Sequence, residues 1–118
     1  MQTPLQITVR DMDRSDALDH HIRERVAKLE RIFPRMMGCR VVVEHQARHK
    51  QQGKHFEVRI DLTLPGKEIV VSRQHAEDPY AALRDGFDAA KRQLEEFART
   101  QRGDVKTPRP GAGPDEGE

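Results

Sequence analysis

The chain has no tryptophan, a single tyrosine (Tyr80) and a single cysteine (Cys39). One cysteine excludes an internal disulfide and a thiolate metal cage, and a reducing cytoplasm is the expected compartment. Apolar runs are short, Val41-Val42-Val43 being typical, so no stretch is long enough to cross a membrane as a helix. The opening residues MQTPLQITVR lack the apolar centre of a signal peptide and already alternate like a strand. Net charge is also scarce: 21 Lys and Arg against 20 Asp and Glu leave +1, which does not by itself announce a nucleic-acid partner. A glycine-rich phosphate loop and a Gly-x-Ser-x-Gly elbow are both missing, and no base lies near Cys39 in sequence. We therefore expect a protein that is not an enzyme and that takes no cofactor or small-molecule substrate.

What is present is charge in quantity and clear periodicity. Charged residues make up 35% of the 118 positions, which suits one small polar domain. Leu5, Ile7 and Val9 alternate with Gln6, Thr8 and Arg10, the pattern of a half-buried strand. Ser15 is a good N-cap with Asp16 and Asp19 behind it, and Leu18, Ile22, Val26, Leu29 and Phe33 then form one helical stripe that Pro34 and Gly38 end. Arg40–Glu44 reads as a short second strand. Phe56–Leu64 alternates cleanly and predicts a third, Pro65-Gly66 a turn, and Lys67–Arg73 a fourth. Asp78-Pro79 starts a long second helix with Tyr80, Leu83, Phe87, Ala90, Leu94 and Phe97 on one side.

The order β-α-β-β-β-α, with one apolar stripe per helix and one apolar sheet face, predicts a two-layer α/β sandwich. Its four-stranded sheet is mixed, the first two strands parallel and the rest a meander, and both helices cover one face. The other face would carry Thr8, Arg10, Glu44, Glu57, Arg59 and Asp61, a mixed-sign surface expected to be solvated. Residues 1–102 form the domain. Residues 103–118 hold three Pro, four Gly and a net charge of −2, and are expected to be a disordered tail.

The segment HQARHKQQGKHF (45–56) has three histidines, one arginine and two lysines with no acid. His45 and His49 would suit two metal ligands on a helix, but between two strands that logic fails, and the neighbouring cations repel a metal ion. Phosphate binding fits better. Arg48, Lys50 and Lys54 provide cations in this connection. His21, Arg25 and Lys28 share a flank of the first helix with Arg31 a turn further on, and Lys91 and Arg92 stand on the second.

Two stretches resemble a known family. Val26-Ala-Lys-Leu-Glu-Arg-Ile-Phe33, and Glu77-Asp-Pro-Tyr-Ala-Ala-Leu-Arg-Asp-Gly-Phe-Asp88 leading to Arg92-Gln-Leu94, are similar to the ribosome hibernation promoting factors, also known as ribosome-associated translation inhibitors or sigma-54 modulation proteins. The resemblance covers residues 4–100 and carries the same β-α-β-β-β-α order. It implies a bacterial cytoplasmic protein that binds the small ribosomal subunit and its ribosomal RNA, inhibiting translation or keeping idle ribosomes in a hibernating state. Arg25, Lys28, Arg31 and Arg92 match the family's basic positions, with phosphate contact as their implied role. The second helix departs from the pattern at Asp88-Ala89-Ala90 and at Glu95-Glu96, which are less basic. Two alternatives stay open: a same-fold protein-interaction module without ribosomal RNA binding, and a structured-RNA binder outside the ribosome.

Overall fold

In a computed structural model, residues 3–47, 54–76 and 78–102 are described. The elements run β1 (Leu5–Arg10), α1 (Asp16–Ile32), β2 (Gly38–Ala47), β3 (Lys54–Leu64), β4 (Lys67–Ala76) and α2 (Pro79–Arg102). The sheet order is β1-β2-β3-β4, with β1 and β2 parallel and the other two pairs antiparallel. This is the two-layer architecture that patterning predicts. The tail at 103–118 lies outside the described residues.

Each helix starts where its cap chemistry sets it. Ser15 sits in extended conformation and its Oγ accepts the Leu18 amide at 3.1 Å, satisfying one of the free N–H groups of the first turn. The Arg14 guanidinium donates twice to Asp19, at 2.8 and 2.9 Å, and once to the Ile7 carbonyl at 3.2 Å. That fork ties the first turn of α1 back to β1. At the other end the Phe33 amide closes on the Leu29 carbonyl at 3.0 Å, and Pro34 forbids a further turn. The start of α2 is set by Asp78, whose carboxylate accepts the Tyr80 amide at 2.9 Å.

The register shows why the core has one face. Ile7, Val41, Ile60 and Val71 align across four strands, and all are buried. They join Leu18, Ile22, Val26 and Leu29 of α1 and Leu83, Phe87, Ala90 and Leu94 of α2 in one cluster, so both helices cover the same side. Phe33 and Phe97 meet edge to face at 5.3 Å and fasten the far ends of the helices together. Gly86 lets α2 lie close to the sheet: a Cβ there would stand 3.0 Å from the Ile60 Cδ1.

The strands outrun their apolar patterning. β2 extends through Ala47 rather than stopping at Glu44, β3 begins at Lys54 rather than Phe56, and β4 continues past Arg73 to Ala76. His45 pairs with Phe56, and their rings stack at 4.8 Å. Residues 45–47 and 54–56 of the histidine-rich segment are therefore strand, and residues 48–53 lie outside the described residues. Backbone pairing sustains these ends after the alternation of apolar residues has stopped.

Candidate nucleic-acid interface

Three hollows on the described surface differ in charge. One lies on the uncovered face of the sheet, occupies about 360 Å³, and is lined by Arg10, Arg40, Val42, Glu44, Glu57, Arg59, Asp61 and Ser72. Its three arginines face three carboxylates, and Arg59 donates to Asp61 at 3.1 Å, so the charges cancel as expected for a solvated surface. A second, of about 300 Å³, lies at the edge beside Pro4, Leu5 and Gly38 and contains Asp61 and Glu68 with Arg40.

The third is a groove of about 290 Å³ between the helices, lined by Arg25, Lys28, Leu29, Arg31, Ile32, Phe87, Asp88 and Lys91. Four cations meet one carboxylate there, a local charge of +3. The geometry follows from helical spacing. Arg25, Lys28 and Ile32 step by three and four along one flank of α1, beside the buried Leu29. On α2, Lys91 follows the buried Phe87 by four and Asp88 by three, so all three border the same trough. The floor is apolar and the walls are cationic.

The electrostatics agree with this shape. Arg25 is the cation most drawn in, its side chain 28% exposed, and its Nη1 stands 3.9 Å from Asp88 Oδ1, a side chain 54% exposed. At that distance the two make an ion contact across the helices rather than a hydrogen bond. Lys28, Arg31 and Lys91 make no ion pair among the described residues, so their charge is open to a ligand. One turn before Arg25, His21 meets Tyr80 of α2 edge to face at 5.2 Å, a further contact between the two helices. Burial and then the Arg25 charge hold the His21 imidazole below the usual histidine range, with His20 and Lys28 adding to the effect and Glu24 opposing it.

Of the residues singled out from sequence, the structure brings Arg25, Lys28, Arg31 and Lys91 into this groove. Arg92 is exposed on α2 but lies outside the lining. Lys54 opens β3 opposite Ala47, and Arg48 and Lys50 fall outside the described residues. The floor residues Leu29, Ile32 and Phe87, and the acceptor Asp88, did not stand out in the sequence as parts of a site. Asp88 carried a signal all the same, since three residues before Lys91 is the same helix flank.

Residues 5–102 match the model of the family described as sigma 54 modulation protein / S30EA ribosomal protein. The chain belongs to this family. A ribosome hibernation promoting factor from Azotobacter vinelandii is 31% identical over 90 residues, 76% of this chain and 78% of that protein. A ribosome hibernation promotion factor from Deinococcus radiodurans is 27% identical over 93 residues, which span 78% of this chain but only 47% of the relative. Among solved structures, a ribosomal subunit interface protein from Coxiella burnetii superimposes with a TM-score of 0.67 at 17% identity, covering 80% of this chain and 97% of its own. The N-terminal domain of Thermus thermophilus Protein Y gives 0.62 at 22%, covering 82% and 99%. At these identities the structural likeness bears on the fold.

Proposed function

We propose that this member of the hibernation promoting factor family binds the small ribosomal subunit by placing ribosomal RNA phosphates in the groove between α1 and α2, and so inhibits translation or keeps idle ribosomes in reserve. The observation that carries this reading is the convergence of Arg25, Lys28 and Arg31 from one helix and Lys91 from the other on one trough with a charge of +3. Cations on two rigid helices, held by a common core, offer a fixed array to a folded RNA backbone and need no base-specific contact. Family membership supports a non-enzymatic, ribosome-associated role, and the names of the two relatives supply hibernation as its sense. Such a factor works in the cytoplasm. No helix among the described residues is long and apolar enough to cross a membrane.

The test is sedimentation of the purified chain with isolated small and large subunits at low salt. The reading expects the chain to travel with the small subunit. A chain that stays at the top of the gradient, or that follows the large subunit, contradicts it. A chain that binds free structured RNA and leaves both subunits alone supports an RNA-binding role outside the ribosome.

A further inference from the structure

The groove contains one group that a simple phosphate site does not need. Arginine and lysine side chains offer only donors, so Arg25, Lys28, Arg31 and Lys91 can hold an anion without help. Asp88 is the acceptor among the charged groups lining the trough, and a carboxylate there repels phosphate. Its position is nonetheless specific. It stands in ion contact with Arg25 at 3.9 Å, with no hydrogen bond to any described residue, and it makes no ion pair with Lys91 or Arg92 despite being three and four residues before them. Both partners of the contact therefore keep their hydrogen-bonding capacity: the guanidinium its donors, the carboxylate its lone pairs.

A donor array and an acceptor side by side match a ligand that presents an anionic oxygen and a hydroxyl side by side. In a ribonucleotide the 2′-hydroxyl is carried on the carbon next to the one bearing the 3′-phosphate, and no such donor exists in DNA or polyphosphate. We propose that Asp88 accepts the ribose 2′-hydroxyl of a nucleotide whose phosphate is held by Arg25 and Lys28, so that the groove selects RNA over other polyanions. This rests on the phosphate-binding reading of the groove and adds its chemical specificity. It also gives the apolar floor of Leu29, Ile32 and Phe87 a use, as the surface beneath the sugar of a single strand.

The experiment measures binding, by fluorescence anisotropy at low salt, of a short unstructured RNA, its 2′-O-methyl counterpart and its DNA counterpart. The methylated strand keeps the ribose pucker and loses the donor. For the wild-type chain, RNA should bind about tenfold more tightly than either analogue, the low end for a hydrogen bond to a charged group because Asp88 is half open to water. Asp88→Asn keeps an acceptor and loses the charge, so all three strands should tighten while the RNA preference persists. Asp88→Ala loses both, so the three strands should become equal. Equal wild-type binding of RNA and its 2′-O-methyl form overturns the proposal, and so does an unchanged preference in Asp88→Ala. Failure of all three strands to bind contradicts the phosphate reading of the groove itself, an outcome distinct from binding without preference.

Discussion

Replacing Gly86 with alanine sets two effects of known size against each other. Glycine inside a helix costs about 1 kcal/mol relative to alanine, so propensity alone predicts that Gly86→Ala stabilises the chain. The structure predicts the reverse. The new Cβ would stand 3.0 Å from Ile60 Cδ1, with Val58 Cγ1 at 3.7 Å and Arg73 Cγ at 3.9 Å, whereas carbon pairs prefer 3.5–4.0 Å. In an open site the end of the Ile60 side chain would swing away. Here Ile60 is 0% exposed and centred in the sheet, between Val41 and Val71 on the neighbouring strands, so relief must come from α2 lifting or from a strained rotamer. Overpacking of this kind costs about 1–3 kcal/mol, which leaves a net loss of about 1 kcal/mol. Ile60→Val removes the offending methyl and by itself also costs about 1 kcal/mol. In the double variant the alanine Cβ fills the space the methyl vacates, so the pair should be close to wild type rather than 2 kcal/mol worse. Urea unfolding followed by circular dichroism, with an unchanged slope, reads this directly. Stabilisation by Gly86→Ala, or additive losses in the double variant, refutes the close-approach account of α2. Because Phe87 and Asp88 are the next two residues, that approach also sets one wall of the groove.

Three further outcomes are expected. Burial, with Asp61 and Glu30 adding their charge, pushes the Cys39 thiol up to about 12, so at pH 8 its reaction with a disulfide reagent should be about a thousandfold slower in the native chain than in denaturant; equal rates would show that the site is open. The His21 imidazole titrates lower in the folded chain than the ordinary 6.5, so on acidification the unfolded chain takes up that proton first and stability falls with pH below the ordinary value. His21→Gln should flatten that decline, and an unchanged pH profile would contradict it. Four groove cations on a single strand give a salt slope of about −2.8, a loss of about fiftyfold in affinity between 50 and 200 mM salt, and Lys91→Gln should reduce the slope by about 0.7.

Much of the fold was legible because local signals and tertiary demands coincide. The strict alternation of Phe56–Leu64 and the cap residues Ser15 and Asp78 each mark an element that the structure contains. The strand ends were not legible. Gln46, Lys54, His55 and Gln74 carry no apolar alternation, and their strand state comes from pairing with a neighbour far away in sequence. The site divides similarly. Spacing by three and four placed Arg25 and Lys28 on one flank of α1, which is a local property. Which of the adjacent Lys91 and Arg92 faces α1 depends on the rotation of α2 about its axis, and burial of Phe87, Ala90 and Leu94 against the sheet fixes that rotation. For the same reason Asp88 reads in sequence as a loss of basic character and in the structure as the acceptor inside the groove.

The claim that the interhelical groove is the ribosome-binding surface is tested most directly by two variants of equal charge. Lys28→Gln with Lys91→Gln removes two cations from the groove, and Arg10→Gln with Arg40→Gln removes two from the uncovered sheet face. Sedimentation with small subunits near physiological salt should show the first variant left largely at the top of the gradient and the second travelling with the particles as wild type does. Equal losses in both would reduce the effect to net charge. Loss confined to the sheet-face variant would put the interface on the opposite side of the molecule.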